Sequence, residues 1–219
     1  MPQPPLNCFT RVRWLFAVLL ALALIRTFII EPCVVPTSSM EGTVLVGDYL
    51  LLNRLPYGPR VPFTPWRLPH SKQLSVGDIV ALRFTDDPKT GYLKRVIATG
   101  GDTIEIRHDT VYVNGLPLAE PYAIHRRRIR TPESMSPRFV PPGCVFVMGD
   151  NRDFSSDSRE RGTVPAENVS GKALVVFWSY HAPASLLLDE GLSSRLQLYT
   201  AMALQRLRHA RWARVGHRL

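Results

Sequence analysis

Tyr92-Leu-Lys-Arg-Val-Ile-Ala-Thr-Gly-Gly-Asp-Thr-Ile-Glu-Ile-Arg-His-Asp-Thr-Val-Tyr-Val-Asn-Gly115 contains three short runs rich in β-branched and aromatic residues. Gly100-Gly101-Asp102 and His108-Asp109 punctuate them, and Asn114-Gly115 closes the last. Side chains of this kind suit a pleated, half-buried surface, and an Asn-Gly pair supplies the two positive-φ residues of a tight hairpin turn. The stretch therefore predicts a meander with strands at Tyr92–Ala98, Thr103–Arg107 and Thr110–Val113.

Working outward, the pattern repeats on both sides. Upstream, Gly77-Asp78 precedes a strand at Ile79–Phe84, and Val44–Val46, Gly47-Asp48 and Tyr49–Asn53 read as strand, turn, strand. Between them Pro59–Gln73 holds four prolines and reads as a loop or flap. Downstream, Ala119–Pro142 is a long proline-, arginine- and serine-rich excursion, followed by strands at Val145–Met148 and Lys172–Ser179. No repeat of fixed period is present. The fold class that follows is mainly β, an antiparallel sandwich or partly closed barrel, after one N-terminal transmembrane helix.

That helix is read from Trp14–Ile25, which follows Arg11 and Arg13; Arg26 then interrupts before Thr27–Ile30. Counted from 14 to 30 the run spans about 25 Å as a helix, near the lower limit for a bilayer core of about 30 Å. A cleavable signal peptide has the same layout, but its one small-x-small site, Ala21-Leu-Ala23, leaves an apolar stretch at the bottom of the usual range. A buried core helix is the other reading. The preferred one is an uncleaved anchor with residues 1–13 cytoplasmic, residues 14–30 in the membrane and residues 31–184 as a β-rich domain outside. Residues 185–219 form a basic tail with helical spacing at Leu192, Leu196, Tyr199, Met202 and Leu207, suited to anionic lipid or to solvent.

The formal net charge of +9 admits nucleic acid, anionic lipid or a basic tail as its cause. Its concentration at Arg126–Arg130 and from Arg195 to Arg218, with no aromatic-interleaved stripe of the sort single-strand binders need, argues against nucleic acid. Three cysteines, Cys8, Cys33 and Cys144, are too few for a disulfide framework or a CxxC metal site. A Cys33–Cys144 bridge is compatible with an oxidising compartment but nothing requires it.

Ser39, in Pro36-Thr-Ser-Ser-Met40 just beyond the anchor, is the candidate nucleophile. A serine hydroxyl needs a base, and the six histidines fall in predicted loops, turns or the tail. Lysine is used sparingly: of 27 basic residues only Lys72, Lys89, Lys94 and Lys172 are lysine. Lys94 sits inside an apolar strand, with Tyr92 on its own face and Arg95 beside it, whereas Lys72 and Lys89 lie in polar loop sequence. Burial there lowers a lysine pKa toward the range of a general base, which arginine cannot reach. A third cluster, Gly149-Asp-Asn-Arg-Asp-Phe-Ser-Ser-Asp-Ser-Arg159, reads either as a polar surface loop or as an ordered loop packed behind an active site.

Taken in order, these pieces resemble the type I signal peptidases, membrane-anchored serine proteases with a Ser/Lys dyad. The likeness covers about residues 26–180: Pro36–Met40, Gly47-Asp48 with Tyr57-Gly58, Gly77–Val80, Tyr92–Val96 with Gly101-Asp102, and Gly149-Asp-Asn-Arg-Asp with Ser155–Arg159. It implies Ser39 as nucleophile, Lys94 as general base, and an oxyanion hole from the Thr37 hydroxyl and the Ser39 backbone N–H. It further implies that Ser155 orients Lys94, and that Asp157 with Arg159 and Asp150 with Arg95 form bracing ion pairs. Ala98 and Gly100 depart from the family pattern, as does Thr37, which keeps a hydroxyl. The implied substrates are signal peptides of exported preproteins, cut after small residues held in shallow pockets beside Val34 and Pro36. The implied location is the bacterial plasma membrane with a lipid bilayer partner, without cofactor, metal or nucleic acid; oligomeric state stays open. Rival readings are a self-cleaving repressor, which the apolar anchor disfavours, a pilus-system processing enzyme on a related fold, and a non-catalytic domain binding partners through Arg126–Arg130.

Overall fold

The computed structural model describes residues 8–59, 61, 64, 66, 68–69, 73–126, 133–181 and 210–219. His70, Lys72, Arg127, Arg128, Arg130, His209 and the helical spacing from Leu192 to Leu207 lie outside them. The chain enters as helix α1, Cys8–Phe28, whose large apolar side chains from Val12 to Ile25 stand 42–68% exposed. Arg11, Arg13 and Arg26 interrupt it, and among the described residues no helix is long and apolar enough to cross a membrane. The helix stops two residues before Ile30, where the sequence pattern carried it. Arg54 meets its end, donating through Nη1 to the Thr27 carbonyl at 3.3 Å while its backbone N–H donates to Ile29 O.

Ile30 instead opens β1, Ile30–Val34, which pairs antiparallel with β2, Asp48–Asn53. The remaining strands of this sheet are β3, Ile79–Leu82; β4, Tyr92–Thr99; β9, Cys144–Met148; β10, Val164–Pro165; and β11, Val169–Ser179. Their spatial order is β1-β2-β11-β3-β4-β9-β10, antiparallel throughout. A second antiparallel sheet, ordered β7-β6-β5-β8, holds β5, Thr103–Arg107; β6, Thr110–Val113; β7, Leu116–Pro117; and β8, Met135–Phe139. The Asn-Gly turn is where the sequence puts it, with Asn114 and Gly115 both at positive φ.

Val44–Val46 and β8 differ from the sequence reading, and β1, β7 and β10 are not among the strands it expects. Val44–Val46 is no strand: the Met40 carbonyl accepts from the N–H groups of Thr43 and Val44, winding the chain into a turn that drops Val44 into the core. Conversely, β8 lies inside the expected excursion. Pro137 lacks an N–H and is tolerated because β8 is an edge strand whose register against β5 slips between Ile104 and Ile106.

Alternation along the strands builds the core. Val145 and Val147 of β9 join Tyr57, Val80, Leu82, Phe84 and Val96 on one side of the large sheet. Phe146 and Met148 point the other way, into a cluster with Ile97, Ile104, Ile106 and Val111 that seats the second sheet. A third cluster, Val35, Met40, Val44, Leu50, Leu52, Ile79, Ala173 and Val176, lies directly beneath the turn that carries Ser39. Cys33 and Cys144 are free thiols, so the compatible bridge between them is not formed. Burial, helped by Glu31, pushes the Cys33 thiol up to about 11, leaving it poorly reactive.

Leu82→Ala, which empties a fully buried position, is expected to destabilise the fold by about 2–5 kcal/mol in urea unfolding. Leu116→Ala, at a site 72% exposed, should stay within about 0.5 kcal/mol.

Candidate active site

Ser39 sits in a single 3₁₀ turn, Ser38–Met40, separated by three residues from the end of β1. Pro36 offers no N–H to continue the ladder, and Thr37 is extended, so the chain leaves the sheet and coils once. The turn is held from below by buried Met40 and Val35, and from above by Asn151. Asn151 donates its backbone N–H to Ser39 O at 3.0 Å and its side-chain amide to Ser38 O at 3.1 Å. Ser39 is left only 8% exposed.

Lys94 lies in the middle of β4, opposite Val80 of β3, and is 2% exposed. Its Nζ donates to Ser39 Oγ at 2.8 Å, joining residues 55 apart in sequence. Tyr92, two residues back on the same face, places its ring centre 5.7 Å from the amine. Burial takes the Lys94 pKa from 10.5 down to about 8; Arg159 and Arg161 add to this, while Asp157 and Asp150 oppose it. A water-poor amine at this distance from a hydroxyl, and with this pKa, can exchange a proton with it near neutral pH.

The two expected ion pairs are both formed. Arg95 grips Asp150 with two hydrogen bonds, 2.8 and 2.7 Å, while stacking 3.9 Å over the Tyr122 ring. Arg159 Nε donates to Asp157 at 2.8 Å. Asp157 is fully buried and also accepts from the Gly149 N–H at 2.9 Å and from Ser155 Oγ at 2.7 Å. Burial pushes its carboxyl upward, but the hydrogen bonds and charge of Arg159, with the Gly149 and Ser155 donors, hold it below its ordinary value.

Ser155 thus gives its proton to Asp157; a hydrogen bond from it to Lys94 is not among those of the described residues. It is nonetheless close to the Ser39 backbone. A Cβ added to Gly149 would lie 2.3 Å from Ser155 Oγ and 2.5 Å from Ser39 O, so only glycine lets these segments meet. Thr37 is exposed, with its hydroxyl 3.5 Å from Ser39 Oγ.

Several supports were not legible in the sequence. Thr43, which the sequence reading does not single out, donates its hydroxyl to Asp150 and accepts from Arg95. Arg152 is buried against Glu120, 32 residues away. Asp48, read as a turn residue and as part of a block resembling the family but given no partner, is a fully buried carboxylate paired with Arg211 and Arg214. Asp48's own neighbourhood, an acid opening a strand of apolar side chains, is a local hint of that burial.

The family model described as "Signal peptidase, peptidase S26" matches residues 8–178. Signal peptidase I of Pseudomonas fluorescens is 32% identical over 204 residues, which cover 77% of this chain and 72% of the relative. That of Pseudomonas aeruginosa is 30% identical over 203 residues with the same coverage. That of Bacillus amyloliquefaciens is 35% identical over 178 residues, covering 77% of this chain and 86% of the relative. The chain belongs to peptidase family S26, the type I signal peptidases, and is a serine hydrolase that removes signal peptides.

Proposed function

We propose that Ser39 and Lys94 form the Ser/Lys dyad with which this peptidase cuts exported preproteins after small residues. The observation that carries this reading is the 2.8 Å contact between Lys94 Nζ and Ser39 Oγ inside a buried setting. The protonated amine donates in that contact and the neutral amine accepts. With a pKa of about 8, roughly one molecule in ten holds it neutral at pH 7, against about one in 3000 for a lysine left at 10.5.

As neutral Lys94 takes the hydroxyl proton, Ser39 Oγ bonds to the scissile carbonyl carbon and the carbonyl electron pair moves onto oxygen. The Thr37 hydroxyl and the Ser39 backbone N–H receive that oxyanion; a preorganised donor of this kind contributes about 3 kcal/mol. The Lys94 ammonium then gives its proton to the amide nitrogen, the C–N bond breaks, and the acyl-enzyme remains. Water adds to the ester carbonyl as Lys94 takes its proton, and that proton returns to Ser39 Oγ as the C–O bond breaks. Ser155 acts through Asp157, whose buried charge lies near the Lys94 amine. Val34 and Pro36 line shallow pockets for the small side chains of the cleavage site.

The membrane part of the proposal rests on α1. Its apolar surface from Trp14 to Ile25 is uncovered by the domain, and lipid is the medium that suits it. In this reading the helical part of the expected 14–30 anchor, residues 14–28, holds the chain in the bacterial plasma membrane, the Arg26 head reaching out to the interface. Residues 1–13 are cytoplasmic, 31–184 form the extracytoplasmic catalytic domain, and 185–219 are a basic segment that returns to that domain at 210–219. Enzyme and tethered preprotein then share one bilayer, which raises their effective concentration.

Ser39→Ala and Lys94→Ala are each expected to lower cleavage of a preprotein with an Ala-x-Ala site at least about a thousandfold. Activity surviving either change would refute the dyad. In the free enzyme log kcat/KM should rise with unit slope as pH approaches 8, then level as Lys94 becomes neutral; a profile flat from pH 6 to 9 would count against the base.

The same lysine sets a stability dependence on pH. Its pKa is lower folded, about 8, than the ordinary 10.5 it regains on unfolding, so below pH 8 the fold carries a buried charge costing about 3 kcal/mol. Between pH 8 and 10.5 the folded state sheds its proton first, and the penalty fades. Lys94→Met should therefore raise the unfolding free energy by up to about 3 kcal/mol at pH 7, with the gain shrinking above pH 8.

A further inference from the structure

We propose that Arg214 is a positioning residue for this peptidase, holding the turn that carries Ser39 in place through the Thr43 carbonyl. The proposal rests on the reading of Ser39 and Lys94 given above.

Residues 210–219 lie back along β11. The Val176 N–H donates to His217 O at 2.9 Å, Gly216 N–H to Val176 O at 2.8 Å, and Leu219 N–H to Leu174 O at 3.0 Å. Trp212 packs edge-on against Trp178, ring centres 5.2 Å apart. At the head of β2, Gly47 has φ +86, and an added Cβ would lie 2.0 Å from Tyr180 O, so the two segments meet at backbone distance. This docking aims Arg211 and Arg214 at Asp48.

Asp48 is fully buried, and a carboxylate so placed needs a counter-charge. Arg214 supplies one, with Nε and Nη2 at 2.9 and 2.7 Å from Oδ2. Ser179 Oγ and the Leu45 N–H complete the acceptor sites. Neutralising Asp48 asks nothing more of Arg214. Yet the same Nη2 also donates to Thr43 O at 2.8 Å.

That second bond lands on a junction. The Thr43 hydroxyl donates to Asp150 and accepts from Arg95 Nη2 at 3.0 Å, so one residue is fixed by two arginine–carboxylate pairs, one acting on its side chain and one on its carbonyl. The Thr43 N–H in turn donates to Met40 O, closing the turn directly after Ser39. Arg95 is the strand neighbour of Lys94. The two reacting groups are thus referenced to each other through Thr43 as well as through Asn151. Freeing the Thr43 carbonyl lets the turn shift relative to Lys94, and a displacement near 1 Å costs on the order of a hundredfold in rate at full effect.

Arg214→Lys separates this role from simple ion pairing. Lysine keeps a positive charge for Asp48 but lacks the planar fork that serves Asp48 and Thr43 O together. With a preprotein substrate, the expected result is a fall in kcat of about tenfold, a KM within about twofold of wild type and little change in Tm. Arg211→Lys is the control: Arg211 bonds Ser179, Val46 O and Tyr180 O and approaches Asp48, but makes no bond to Thr43, so kcat should stay within about twofold. Thr43→Val combined with Arg214→Lys should lose no more kcat than the worse single variant, because either change releases the same turn. An Arg214→Lys kcat near wild type, equal losses in both arginine variants, or multiplicative losses in the double variant would overturn the proposal. Failure of wild type to cleave, or cleavage by Ser39→Ala, would instead overturn the reading of the site, and the positioning role with it.

Discussion

A single unfavourable placement organises this molecule: an amine, 2% exposed, set into the middle of an apolar strand with a serine hydroxyl 2.8 Å away. Left in water, lysine is protonated and chemically idle at neutral pH. Desolvation brings its pKa to about 8, and the opposing pull of Asp157 keeps it from falling further. Removing the surrounding β-sheet packing would restore the ordinary value. In the proposed dyad the core is therefore part of the catalytic apparatus, because the clusters on either side of β4 exclude the water that would otherwise solvate the ammonium.

Burying one cation among several charges requires that the others be settled elsewhere. Arg95 and Arg159 lie close to Lys94 in sequence or in space, and each is paired with a buried carboxylate through more than one hydrogen bond. Asp157 does double service: its charge moderates the depression of the Lys94 pKa, and its oxygens organise the Gly149 N–H and Ser155 behind Ser39. The loop from Gly149 to Arg159 is polar because it has this network to build. A solvent-exposed loop would face no such requirement to satisfy every donor.

Much of this was legible in the sequence, for physical reasons. Strands β3 to β6 announced themselves because β-branched side chains alternate between Gly-Asp and Asn-Gly turns, signals that are local. Lys94 stood out because it is a lysine in an apolar run in a chain that otherwise prefers arginine. The pairs Arg95–Asp150 and Arg159–Asp157 came from resemblance and stand in the structure at hydrogen-bond distance. What escaped was non-local or compensated. β8 hid behind Pro137, which an edge position excuses; Val44 mimicked a strand residue while plugging the core beneath Ser39. The docking of residues 210–219 depends on contacts up to 171 positions away, such as Arg214 to Thr43, and no short pattern encodes them.

The most direct measurement is the titration of Lys94 itself. With only four lysines in the chain, protein labelled at lysine side chains gives few resonances to assign, and Lys94→Met identifies the one that matters. In the folded enzyme that resonance is expected to titrate near pH 8, well apart from the ordinary lysine range. A Lys94 resonance that stays protonated until above pH 10 would contradict a buried lysine base and leave Ser39 without its activating group.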